Sequence, residues 1–134
     1  MYLIDTSAWI KHFSASDPFY LRALCHPDDR VLCLPVYQEI LQGIREERVF
    51  RQVRSILQAA VFVESPLEMD VFSEAAELYR AARRQGLTVR SSIDCIIAVC
   101  ALRHDLTVLH DDRDFPAISR VSALKEKNLR NTRR

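Results

Sequence analysis

Apolar positions along this chain fall into short runs separated by longer periodic segments. Tyr2-Leu3-Ile4, Val31-Leu32-Cys33-Leu34, Val61-Phe62-Val63 and Thr107-Val108-Leu109-His110 each predict a short buried strand. Val121-Ser122-Ala123-Leu124 predicts a last edge strand. Between the runs a helical spacing takes over, and helices are predicted over residues 7–13, 18–25, 36–46, 48–60 and 67–85. The last of these carries Phe72, Ala76, Leu78, Tyr79 and Ala82 on its apolar side, and Gly86 stops it. Ser14, Ser16, Asp17 and Pro18 interrupt the first helix, and His26-Pro27-Asp28-Asp29 reads as a loop. An apolar run from Cys95 to Leu102, opened by Ser91-Ser92-Ile93-Asp94, predicts one more helix. Strands alternating with helices call for a parallel sheet covered on both faces, an α/β fold.

Acidic residues interrupt this pattern at telling places. Asp5 ends the first strand, and ligands in such sheets bind outside the carboxyl ends of strands. As an N-cap it would also need no further role. Glu39 falls on the stripe of Val36, Ile40 and Ile44 at about 100° per residue. A carboxylate on an inward stripe must be paired, protonated or bound to a cation, unless it sits at the edge and reaches water. Asp94 completes an S-x-x-D capping box with Ser91, yet a carboxylate in a first helical turn is also kept ionised by the helix dipole. Asp111, Asp112 and Asp114 crowd the end of the Thr107–His110 strand. Strand ends and helix starts share one edge of a doubly wound sheet, so four separate stretches can bring carboxylates together there.

The composition narrows what these acids can do. A chain of 134 residues, 49% apolar, suits one domain with a real core. Its net charge is only +1, although Lys125, Lys127, Arg130, Arg133 and Arg134 concentrate at the end against Glu126. That segment reads as a frayed basic tail over residues 125–134, with phosphate contact as the sharper alternative. Cys25, Cys33, Cys95 and Cys100 form no C-x-x-C pair and read as thiols of a reducing compartment. The histidines have no zinc-binding spacing. With Gly43 and Gly86 the only glycines, phosphate-cradling glycine motifs are absent. No signal peptide or membrane-length apolar run appears, and a soluble cytoplasmic protein is expected.

Clustered carboxylates without Cys or His nearby favour Mg²⁺ or Mn²⁺. Such ions can drive in-line phosphodiester hydrolysis without a protein nucleophile. Ser7 and Thr6 have no histidine base at a recognisable spacing. Arg90 and Arg113 are the candidate phosphate contacts beside the acids.

Ile4-Asp5-Thr6-Ser7, Glu39-Ile40-Leu41-Gln42-Gly43-Ile44, Ser92-Ile93-Asp94-Cys95-Ile96-Ile97-Ala98 and His110-Asp111-Asp112-Arg113-Asp114-Phe115 stand in order across nearly the whole chain. Together they resemble a PIN-domain ribonuclease, more narrowly the VapC toxins of bacterial toxin–antitoxin pairs. The resemblance implies a three-layer α/β/α fold over residues 1–124 with a short, mainly parallel sheet. It implies Mg²⁺-dependent cleavage of RNA, with Mn²⁺ able to substitute, by a homodimer neutralised by a VapB-type antitoxin. Asp5, Glu39, Asp94 and Asp112 match the family's acidic quartet. Asp5 and Asp94 would ligate the metal, Asp112 would complete the site directly or through water, and Glu39 would ligate or orient the attacking water. Thr6 would hydrogen-bond within the site, and Asp114 would support the loop. His110 stands where many members carry Thr or Ser.

Haloacid-dehalogenase-type phosphatases need a second acid where Ser7 stands, and receiver domains need an Asp at the third strand, which this chain lacks. The serious rival is a PIN-like module that binds RNA or a partner protein without cutting, and a third alternative is a housekeeping PIN nuclease with no antitoxin.

Overall fold

The computed structural model describes residues 1–13 and 21–132. β1 (Tyr2–Ile4) leads through α1 (Thr6–Phe13), α2 (Leu21–Leu24) and a 3-10 turn to β2 (Arg30–Val31). Next come α3 (Leu34–Gln42), α4 (Glu47–Gln58), α5 (Met69–Arg84) and α6 (Ser92–Arg103). The chain then returns to the sheet as β3 (Thr107–His110), followed by α7 (Asp114–Ser119), β4 (Lys125–Asn128) and α8 (Leu129–Thr132). Residues 14–20, on which the predicted interruption and the start of the second helix fall, lie outside the described residues. No helix among the described residues is long and apolar enough to cross a membrane.

The sheet is all-parallel in the order β2-β1-β3-β4. Strand alternation divides the core between its faces. Leu3, Val31 and Val108 pack towards α3, α4, α5, α6 and α7, whereas Ile4 and Leu109 pack with Ala8 of α1, Leu21 of α2, Cys25 just after it and Leu129 of α8. The three-layer α/β/α arrangement follows. The chain leaves β1 in one direction and returns to its other side as β3, so the switch of direction lies between these two strands. That crevice is where doubly wound folds bind ligands.

α6 lies deep in the fold. Cys95, Ile97, Ala98, Val99, Cys100 and Ala101 are buried, as expected of a helix apolar nearly all round. Its last turn closes with Asp105 at φ 52° and a Leu106 N–H donated to the Ala101 carbonyl, which sends the chain into β3. α5 ends likewise, with Gly86 at φ 73° and Leu87 N–H donated to Ala82, as its sequence predicts.

Several predicted elements need correction. The run 61–63 makes only one parallel bridge, Leu32 to Phe62. Leu32 donates to Val61 O and accepts from Val63 N, and the chain then turns at Glu64, φ 51°, before a ladder can extend. β2 stops at Val31 because Pro35 lies in the first turn of α3, which starts at Leu34. α3 ends at Gln42 with Gly43 as its cap, short of the predicted Glu46. In α5 the core face is Val71, Ala75, Leu78 and Ala82, while Phe72 and Tyr79 are substantially exposed. Both stripes have helical spacing, and tertiary packing chose one. The edge strand is Lys125–Asn128, not 121–124, so the sheet uses part of the stretch read as a tail. All four cysteines are buried free thiols.

Candidate metal centre

Each acidic side chain reaches the crevice between β1 and β3 by a local device. Asp5 follows β1 directly and donates its N–H to Leu109 O on β3, a 2.9 Å bond that continues the pairing by one residue. Its carbonyl accepts from Ala8 and Trp9, and its Oδ2 accepts the Ser7 N–H at 3.0 Å. Asp5 therefore does cap α1. That role takes one carboxylate oxygen only. Oδ1 is buried and has no hydrogen-bond partner.

Asp94 lies in the first turn of α6, 6% exposed. The capping box suggested by Ser91 and Asp94 does not form, and Ser91 makes no side-chain cap. The Ser91 N–H that such a box would use is donated instead to Asp114 Oδ2 at 2.9 Å, and Arg90 N–H is donated to Asp114 Oδ1 at 2.9 Å. Asp114, 1% exposed, thus ties the start of α6 to α7 and releases Asp94 from capping. Asp94 Oδ2 is the second buried carboxylate oxygen without a partner.

Asp112 follows β3 at the same edge of the sheet. Its Oδ1 accepts the Asp114 N–H at 2.9 Å, and its own N–H is donated to His110 Nδ1 at 3.1 Å. One ligand atom each from Asp94, Asp112 and Asp114 fall within 4.8 Å of one another. Glu39, half-buried on α3, accepts the Thr6 hydroxyl at 2.8 Å, which holds it against the start of α1.

These carboxylates feel one another. Burial pushes the Asp94 carboxyl up to about 9, helped by the charge of Asp5, a hydrogen bond to Asp114, and the charges of Asp112 and Asp114. Burial also raises Asp5; the two Ser7 hydrogen bonds oppose the shift, and the charges of Glu39 and Asp112 add to it. Among the described residues, the carboxylates close enough to share one ion are Asp94, Asp112 and Asp114, while Asp5 acts on Asp94, and Glu39 on Asp5, through their charges. A divalent cation fits this set. The donors are hard oxygens, and two of them are buried and unpaired, a state that costs about 1–3 kcal/mol each when left unmet.

The PIN domain family profile matches residues 2–121. The VapC ribonuclease Mb1587 of Mycobacterium bovis is 36% identical over 135 residues, covering 97% of this chain and 100% of its own length. Ribonuclease VapC11 of Mycobacterium tuberculosis matches with the same identity and coverage. The chain belongs to the PIN-domain family, among its VapC ribonucleases. The fold agrees with solved relatives. VapBC-1 from nontypeable Haemophilus influenzae superposes with a TM-score of 0.73 at 17% identity, covering 96% of this chain and 98% of that one. DNA-bound VapBC from Salmonella typhimurium gives 0.73 at 15% identity, covering 96% and 97%.

This PIN domain also contains site residues that sequence reasoning passed over. Ser7 Oγ donates to Asp5 Oδ2 and accepts the Asp111 N–H at 2.9 Å, so one hydroxyl links the acidic ends of β1 and β3. Asp111 points to cations, with Arg130 Nε at 2.7 Å and Lys11 Nζ at 3.6 Å. Ser7 stood in the first motif, but its second partner is 104 residues away, and no local signal reveals that contact. Arg90 and Arg113 are exposed on the segments that carry the acids.

Proposed function

We propose that the protein is a metal-dependent endoribonuclease that hydrolyses RNA phosphodiester bonds as the toxin of a VapBC pair. The observation that carries this reading is the pair of buried, unpaired oxygens Asp5 Oδ1 and Asp94 Oδ2, the second of these residues lying within ligand distance of Asp112 and Asp114. A PIN-like module that only bound RNA would gain nothing from two such costly groups. The near-full-length likeness to VapC ribonucleases supports RNA as the substrate, and with it a cytoplasmic site of action. Likeness to solved VapBC assemblies supports a VapB-type antitoxin as partner.

In this reading Asp5 and Asp94 hold Mg²⁺, with Mn²⁺ an acceptable substitute, and Asp112 completes the set. The bound ion supplies an activated water and stabilisation of the leaving oxygen. Glu39, steadied by Thr6, orients the water. Asp114, with both oxygens taken by backbone N–H groups, fixes the start of α6. Arg90, Lys11 and Arg130 lie on segments that flank the acids and hold the RNA phosphates. Neither hydroxyl beside Asp5 serves as nucleophile: that of Ser7 is engaged by Asp5 and Asp111, and that of Thr6 by Glu39. A second copy of the chain completes a homodimer, for which exposed Phe72 and Tyr79 offer apolar surface.

The cellular test is induction of the protein alone. Growth should arrest, the Asp5→Asn variant should not arrest it, and the product of an adjacent small reading frame should rescue the culture. Arrest by Asp5→Asn equal to the parent would refute the assignment.

A further inference from the structure

His110 is wholly buried at the end of β3, and both of its ring nitrogens are engaged. Nδ1 lies 3.1 Å from the Asp112 N–H, and Nε2 lies 2.7 Å from Glu126 Oε1 on β4. A backbone N–H can only donate, so Nδ1 must be the acceptor. The neutral ring then carries its hydrogen on Nε2 and donates it to the Glu126 carboxylate. The Phe115 ring, 5.0 Å away and tilted by 41°, packs against the imidazole. The sheet register supplies the third element. Val108 pairs with Glu126 and His110 with Asn128, so Glu126 emerges on the face that carries Val108 and His110.

A continuous chain of hydrogen bonds results. It runs from Glu126 to His110, to the Asp112 backbone, from Asp112 Oδ1 to the Asp114 N–H, and from the Asp114 carboxylate to Arg90 and Ser91 at the start of α6. Two candidate ligand residues, Asp112 and Asp94, are thereby aligned from the edge strand of the sheet.

We propose that Glu126 and His110 are positioning residues for the metal centre, with Glu126 fixing the His110 tautomer that holds the Asp112 backbone. This rests on the reading of Asp94 and Asp112 as a metal site. Partners of this kind, one step removed from the ion, typically change metal affinity by about 10–100-fold when lost. The edge strand would thus serve the site through the hydrogen bonds that run from Glu126 to Asp112.

The test is Mn²⁺ binding to RNA-free, antitoxin-free protein, read from the electron paramagnetic resonance of the unbound ion. Glu126→Leu should bind Mn²⁺ at least about tenfold more weakly than the parent. Glu126→Gln, whose side-chain carbonyl can still accept from Nε2, should stay near the parent. Asp94→Asn should lose binding. Glu126 is partly exposed, so its variants should fold, and a thermal melt checks this. Parent-like binding by Glu126→Leu, beside loss in Asp94→Asn, would overturn the relay and leave the metal centre standing. A parent that binds no Mn²⁺ would overturn both. Nitrogen-15 spectra of the parent should show His110 with its hydrogen on Nε2; a hydrogen on Nδ1 would overturn the relay without any variant.

Discussion

The Thr6 hydroxyl donates a 2.8 Å hydrogen bond to Glu39 Oε1, joining the first turn of α1 to the middle of α3 across 33 residues. Glu39 is thereby held at the crevice instead of swinging out to water. Thr6→Val keeps the shape and removes the donor. It should cost about 1 kcal/mol of stability and lower RNA cleavage by about tenfold. Denaturant melts and initial cleavage rates read the two effects separately. Cleavage equal to the parent would show that Glu39 needs no such restraint.

Ser7 connects the two strands that frame the site. In Ser7→Ala the Asp111 N–H loses its acceptor and Asp5 loses one of the two bonds that favour its ionised form. The expected stability loss is about 1–3 kcal/mol. Mn²⁺ affinity should fall as well, because Asp5 becomes harder to ionise. Ser7→Ala with unchanged Mn²⁺ affinity would separate Ser7 from the metal centre.

The raised carboxyls set a pH dependence whose sign can be worked out. Asp94 ionises at about 9 in the metal-free fold, against about 4 in an unfolded chain. Between those values the folded state holds a proton that the unfolded state has lost. Stability of the metal-free protein should therefore fall as pH rises through this window. Asp94→Asn, which cannot ionise, should show a shallower fall. A divalent ion displaces the proton, so its stabilising effect should grow with pH. Melting temperatures in EDTA and in Mn²⁺ across the window test both statements. A metal-free parent as flat as Asp94→Asn would contradict the burial of that charge.

Asp114→Asn isolates the role of the loop. Both Asp114 oxygens accept backbone N–H groups, and an Asn must present its amide hydrogens to one of them. The expected cost is about 1–3 kcal/mol, together with weaker Mn²⁺ binding because the first turn of α6 carries Asp94. A variant as stable as the parent would show that Arg90 and Ser91 find other partners.

The parts of this site that sequence exposes are those fixed locally. An apolar run ending in an acid marks Asp5 and the cluster after His110, and an apolar helix opening with an acid marks Asp94. What sequence hides depends on register or on distant contacts. β4 reads Lys-Glu-Lys-Asn, a polar edge that blunts pairing with other chains and gives no hydrophobic signal. Glu126 can meet His110 only once that strand is placed. The capping box at Ser91 and Asp94 is locally plausible and fails because Asp114, 23 residues beyond Ser91, takes the N–H it needs. In α5 two stripes share helical spacing, and only packing against α6 and α7 distinguishes them.

Under the proposed function, the carboxylates beside β1 and β3 would hold the ion needed to cut RNA. The direct measurement is cleavage of total cellular RNA by purified, antitoxin-free protein in Mg²⁺, Mn²⁺ or EDTA, beside Asp94→Asn. Discrete fragments that form with either ion, and vanish with EDTA and in the variant, are the expected result. Equal fragments from Asp94→Asn, or cleavage that persists in EDTA, would contradict it.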